Sequence, residues 1–91
     1  AISLTLPRVV VWPNTFTVGI KVQGKGTYDC RAYFQNFYYD FTVVSGNTAR
    51  IQVQPSYLVN AAQKIWGTCT GRDEGVGLTA FSNWIILSSQ G

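Results

Sequence analysis

Apolar and polar residues alternate along most of this chain with a period of two, the pattern of strands that bury one face. Ile2, Leu4 and Leu6 alternate with Ser3 and Thr5 until Pro7 interrupts them. The short apolar run Val9-Val10-Val11-Trp12 closes on Pro13-Asn14, a turn signal. Phe16, Val18, Ile20 and Val22 alternate with Thr17, Gly19, Lys21 and Gln23, after which Gly24-Lys25-Gly26 turns the chain. Tyr28, Cys30, Ala32 and Phe34 make the next apolar face. Gln35-Asn36 breaks it, and Phe37, Tyr39, Phe41 and Val43 resume it. Ser45-Gly46-Asn47 accepts positive φ and predicts a hairpin. Ala49, Ile51 and Val53 alternate as far as Pro55. Over residues 56–63 the pattern weakens, and Tyr57, Leu58, Val59, Ala61 and Ala62 predict a short helical turn or a crossover. Residues 65–70 read as a strand holding Cys69, residues 71–77 as a glycine-rich loop, and residues 78–87 as a last strand bent near Ser82-Asn83.

Seven or eight short strands with frequent turn signals predict an all-β chain folded as a two-sheet sandwich. Residues 1–91 are expected to form one domain, within which residues 1–6 are a candidate detachable strand. Ile2, Leu4 and Leu6 have two destinations: the edge of their own sandwich, or the sheet of a neighbouring copy, where they act as a donor strand.

Composition narrows the chemistry. Only 12% of residues are charged, about half the usual share of roughly 25%. The net charge of +3 comes from bases scattered along the chain, with Lys21, Lys25 and Arg31 the one loose cluster. A nucleic-acid partner is not expected, because such proteins gather their bases into a stripe. With no His and only Asp29, Asp40, Asp73 and Glu74 as acids, the commonest general bases and metal ligands are missing. Neither an enzyme nor a cofactor or metal site is expected. Asp73-Glu74 reads as a polar loop tip, since it lacks the dense ligand spacing of a calcium loop.

Cys30 and Cys69 lie in predicted strands, in no metal-binding spacing. Paired, they close a loop worth about 4 kcal/mol in the chain-entropy model; unpaired, they are two buried thiols. The disulfide is the expectation, and with it an oxidising compartment. The chain has no Met and begins Ala1-Ile2-Ser3, which suggests leader removal and an extracellular or cell-surface location. No stretch approaches the ~18 apolar residues of a membrane-spanning helix, so no transmembrane segment is expected.

The run Trp12-Pro13-Asn14-Thr15-Phe16-Thr17-Val18, followed by Val22-Gln23-Gly24-Lys25-Gly26 and an aromatic-rich strand, resembles the opening of secreted immunoglobulin-like modules of bacterial and archaeal surface proteins. The resemblance covers the first half of the chain. It implies an immunoglobulin-like sandwich in which Cys30 and Cys69 join two strands. The chain departs from the antibody-type pattern: no Trp occupies the usual core position between the cysteines, and Trp66 stands only three residues before Cys69.

Aromatic residues make 14% of the chain, more than one thin core needs. Alternation sends Tyr33 and Tyr38 to the surface; if the register flips at Gln35-Asn36, Tyr39 changes face instead. Tyr33, Tyr38, Tyr39, Trp66 and Trp84 are therefore candidate residues of an aromatic binding surface. The expected function is a non-catalytic structural subunit of a pilus, filament or surface layer, self-associating through Ile2, Leu4 and Leu6. The alternative is a secreted module that binds carbohydrate or mediates adhesion through its exposed aromatics.

Overall fold

A computed structural model describes residues 2–89 of the chain. Residue 1 of the candidate donor segment and the last two residues of the expected 1–91 domain lie outside the described residues. Eight strands form in chain order: β1 Ile2–Thr5, β2 Val9–Val11, β3 Phe16–Val22, β4 Thr27–Phe34, β5 Phe37–Val44, β6 Thr48–Val53, β7 Ala61–Gly71 and β8 Leu78–Ser88. No helix forms among the described residues. The strands divide into a three-stranded sheet, β1-β3-β6, and a five-stranded sheet, β2-β8-β7-β4-β5. Every neighbouring pair is antiparallel except β2 with β8.

The alternation read from the sequence is the burial pattern of the strands. Phe16, Val18, Ile20 and Val22 of β3 are buried, as are Tyr28, Cys30, Ala32 and Phe34 of β4. One core cluster joins Val10, Phe16, Val18, Ile20, Phe34, Val53, Ile65, Ile85 and Leu87, drawn from both sheets. Within it the rings of Phe16 and Phe34 meet edge to face at 5.4 Å. Full burial of side chains such as Phe34, Ile20 and Ile65 contributes about 1.5–3 kcal/mol each. The second cluster surrounds Cys30 and Cys69 with Val22, Tyr28, Ala32, Val43 and Phe81. Gly67 faces Phe81 there, and a Cβ at Gly67 would lie 2.2 Å from the Arg31 carbonyl oxygen and 2.5 Å from the Phe81 ring. Only a residue without a side chain lets the ring cross this strand.

Pro7 divides the N-terminal segment between the sheets. Before it, β1 pairs with β3 through Ile2↔Val22 and Leu4↔Ile20; after it, β2 runs parallel to β8. Proline supplies no ladder donor, so the chain leaves one sheet there and joins the other. Ile2, Leu4 and Leu6 are half-buried and pack against the chain's own core.

Several details refine the sequence reading. Ser45-Gly46-Asn47 does turn the chain, with Gly46 at φ 88° and the Asn47 N–H donating to the Val44 carbonyl at 2.9 Å. Yet β5 and β6 belong to different sheets, so the turn is a crossover and not a hairpin. The hairpin lies one strand earlier, at Gln35-Asn36, where Phe34 pairs with Phe37 and Tyr33 with Tyr38. Gln35 adopts φ 56° at a position where a two-residue turn usually takes glycine. Its side chain holds it there. Oε1 accepts from the Ser56 N–H at 2.7 Å and the Ser56 hydroxyl at 3.1 Å, and Nε2 donates to the Tyr57 carbonyl at 2.8 Å and to Gln63 Oε1 at 3.0 Å. These bonds anchor residues 54–60, which form the crossover, one of the two expectations for this stretch, and not a helical turn; β7 starts at Ala61. β8 runs unbroken past Ser82-Asn83.

The cysteines form one disulfide. Cys30 and Cys69 are cross-strand partners on β4 and β7, so the bond lies within the five-stranded sheet and does not bridge the two sheets. Replacing both cysteines by Ala should lower the unfolding free energy by about 4 kcal/mol in chemical denaturation; a loss under about 1 kcal/mol would mean that the unfolded chain is not opened by the cut. For the hairpin, Gln35→Ala keeps the positive φ and loses the anchor, whereas Gln35→Gly loses the anchor alone. Ala should be the less stable of the two by about 1 kcal/mol; equal midpoints would remove the backbone argument.

Candidate functional site

The outward residues of the five-stranded sheet form rows that run across strands. Tyr38 of β5 stands opposite Tyr33 of β4, Tyr33 opposite Trp66 of β7, and Trp66 opposite Ser82 of β8. The next row is Asp40, Arg31, Thr68 and Ala80, and the one after it Thr42, Asp29, Thr70 and Leu78. On the other side of the aromatic row, Lys64 faces Trp84, and Ile86 pairs with Val9 of β2. The exposed side chains of Tyr38, Trp66, Trp84, Ile86 and Val9 thus carry an apolar band obliquely from β5 to β2.

Within the band the rings are already engaged. Tyr33 stacks on Trp66 with centroids 4.3 Å apart and planes 17° from parallel. On its other side lies Tyr38, at 6.3 Å and tilted by 49°. The Arg31 guanidinium sits 4.1 Å from the centre of the Tyr38 ring. Its orientation is fixed by a two-pronged bond to Asp40, Nε to Oδ1 at 2.6 Å and Nη2 to Oδ2 at 3.0 Å. A fork of this geometry holds a planar cation better than a point charge does. Asp40 consequently lies below the ordinary carboxylate pKa, and Arg31 above its usual value, raised first by Asp40 and then by Tyr33.

One row further on, the Arg72 guanidinium binds Asp29 through both Nε and Nη2. Arg72 lowers the Asp29 pKa, with Thr42 adding a weaker hydrogen bond in the same direction. Between the two ion pairs lies a shallow depression of about 590 Å³, lined also by Thr42, Thr68 and Thr70. Its carboxylates are tied to guanidinium groups and stay ionised, so neither is suited to deliver or collect a proton near neutral pH.

The structure brings Tyr33, Tyr38 and Trp66 into one contiguous row. Trp84, 61% exposed, stands on the same face, and among the described residues no other ring lies against it. Tyr39 is on the opposite, inner side. It packs against the core, and its hydroxyl accepts from the Gln54 N–H at 3.0 Å. Cys30 and Cys69 also face inward, between the Asp29–Thr70 and Arg31–Thr68 rows. Ile2, Leu4 and Leu6 lie on the other sheet or its exit, and Leu4 and Leu6 line a depression that Trp84 borders. Sequence reasoning missed the Arg31–Asp40 pair. Its signal was the hairpin: once the turn is placed at Gln35-Asn36, residues equidistant from it pair, and Arg31 meets Asp40 as Tyr33 meets Tyr38.

No protein-family model matches the chain, and comparison with curated proteins and solved structures finds nothing similar.

Both carboxylates have folded pKa values below the ordinary 3.8. A depressed acid contributes stability above its unfolded pKa and loses it as the pH falls through the folded value. The Arg31–Asp40 fork should therefore persist through mildly acidic solution and open only below pH 3.8. Carboxyl NMR titration checks this, and a midpoint for Asp40 at or above 3.8 would contradict the fork.

Proposed function

We propose that this chain is a non-catalytic, extracellular structural subunit that associates with copies of itself through the outer face of its five-stranded sheet. The observation that carries the reading is the row Tyr38, Tyr33, Trp66, bordered by charges neutralised within the face. Tyr, Trp and Arg are the residues that dominate protein interfaces when clustered and desolvated. A face whose carboxylates already hold guanidinium partners meets an identical face with little like-charge repulsion. The stacking also bears on the partner. One face of the Tyr33 ring is covered by Trp66, with Tyr38 tilted against it on the other side, and one face of Tyr38 is covered by Arg31, so these rings offer less open plane on which a sugar could stack. Residues 2–6 fill their groove within the same chain, so association through this face needs no strand exchange.

An immunoglobulin-like arrangement is part of the proposal. It is supported by the strand order and by the N-terminal segment that divides between the sheets, antiparallel in one and parallel in the other. The disulfide departs from that pattern by linking neighbours in one sheet. The extracellular location is supported by the disulfide itself. No helix among the described residues is long and apolar enough to cross a membrane.

A second reading, carbohydrate binding, has one specific observation in its favour. Trp84 presents an unstacked ring beside a depression of mixed lining, Thr5, Arg8 and Asn83 with Leu4, Leu6 and Pro7. Equilibrium sedimentation from micromolar to millimolar concentration separates the two. Self-association should rise above the 10.1 kDa monomer with concentration, and Trp66→Ala with Trp84→Ala should weaken it by about thirtyfold, the scale of one interface hot spot. A chain that stays monomeric throughout, yet is retained on an insoluble polysaccharide in a Trp84-dependent way, would replace this reading by the second.

A further inference from the structure

We propose that β5 is a self-pairing edge, through which the five-stranded sheet continues antiparallel into the β5 strand of a second copy. The inference rests on the reading of the chain as a self-associating subunit, and adds to it where and how the sheets join.

β5 is the last strand of its sheet, bonded to β4 alone. Its free side can be identified from the ladder. The Val44 carbonyl points away from β4, because it accepts from the Asn47 N–H in the following turn. In an antiparallel strand both peptide groups of a residue point the same way, and the direction alternates along the chain. Thr42, Asp40 and Tyr38 therefore also direct their N–H and C=O groups outward, and among the described residues no strand pairs with them on that side.

Exposed edges are normally guarded by shortness, proline, a bulge or charge. The other edges here are guarded. β2 has three residues between Pro7 and Pro13, and β1 has four and ends near Pro7. β6 carries Arg50 on its exposed side and stops just before Pro55. Where β8 runs beyond β2, the Trp84 N–H is taken by Asn83 Oδ1 at 2.8 Å. β5 has none of these devices. It is eight residues long, FYYDFTVV, and pairs with β4 in unbroken register. Its one charge, Asp40, is neutralised by Arg31.

The occupant follows from the strand's own chemistry. An antiparallel copy must set even-numbered residues against even-numbered ones, so that outward side chains stay outward and open peptide groups meet. A register centred on Asp40 opposes the two carboxylates. The register centred on Phe41 instead sets Asp40 against Thr42 of the copy and Tyr38 against Val44 of the copy. That arrangement has no like-charge pair, and it carries the aromatic row of each copy up to the join.

Thr42→Pro removes an N–H that β4 does not use, and its neighbour Phe41 is already extended, as a residue before proline prefers. Measured by sedimentation, Thr42→Pro should weaken association by about tenfold or more relative to the parent chain, with the melting temperature of the monomer kept. In the parent chain, hydrogen exchange at the Tyr38, Asp40 and Thr42 amides should slow as concentration rises, a readout that stands even if the variant fails to fold. Equal association of variant and parent, with exchange at those amides independent of concentration, would overturn the edge and leave the face as the interface. A parent chain monomeric at every concentration would overturn both.

Discussion

The register of β4 is the constraint on which the rest of the molecule depends. Its inward residues divide between the two core clusters, Phe34 in one and Tyr28, Cys30 and Ala32 in the other, and its outward residues, Asp29, Arg31 and Tyr33, each take part in the outer face. A slip of one residue would exchange the two sets. Two features oppose that slip. On one side the Gln35-Asn36 turn sets β5, and on the other the Cys30–Cys69 bond ties β4 to β7 at a single pair of residues. Because the bond joins strands of the same sheet, it locks the row Tyr38, Tyr33, Trp66 more directly than a bond between sheets would. The strand that carries the middle ring is covalently held to the strand that carries Trp66.

The small core makes such a lock worthwhile. A domain of this size buries a limited fraction of its surface, and the inner face of β7 holds Gly67 where a larger side chain would otherwise fill space. Phe81 from β8 crosses there and closes the cluster around the disulfide. Glycine and aromatic ring are thus two halves of one packing solution, and the sulfur bridge lies in the same cluster, joining β4 to β7.

Much of the fold was legible in the sequence, and the failures have physical causes. Period-two alternation located the strands because each has one buried face, as β3 and β4 show residue by residue. Alternation carries no information about which strands pair. Ser45-Gly46-Asn47 has the composition of a hairpin turn, but the same backbone geometry serves a crossover between sheets. The true hairpin was hidden because Gln35 lacks glycine's freedom, and its positive φ is stabilised by bonds to residues about twenty positions away. Tyr39 shows the consequence for the candidate site. Its face depends on the parity set by that turn, so a two-residue hairpin turns it inward to Gln54, while Tyr33 and Tyr38 remain outside. Trp66 and Trp84 were identified by residue type alone; their places in separate rows required the β7–β8 register.

The low charge of the chain acquires a structural meaning once the face is assembled. Of four acidic residues, Asp29 and Asp40 are both held by arginines on the same outer surface. An exposed ion pair of this kind adds little to stability. Its effect here is geometric: the Asp40 fork lays the Arg31 plane over Tyr38 and neutralises the carboxylate next to the aromatic row. The lysines and Arg50 lie elsewhere, apart from Lys64 beside Trp84. A surface that is apolar in one band, neutral in the next and hydroxylic in the third has little to repel an identical copy. Along its border runs β5, among the described residues the edge strand without a guard, and that strand contributes Tyr38 and Asp40 to the face. Face and edge therefore share residues, so a copy that continues the sheet at β5 also extends the apolar surface that face-to-face packing would bury.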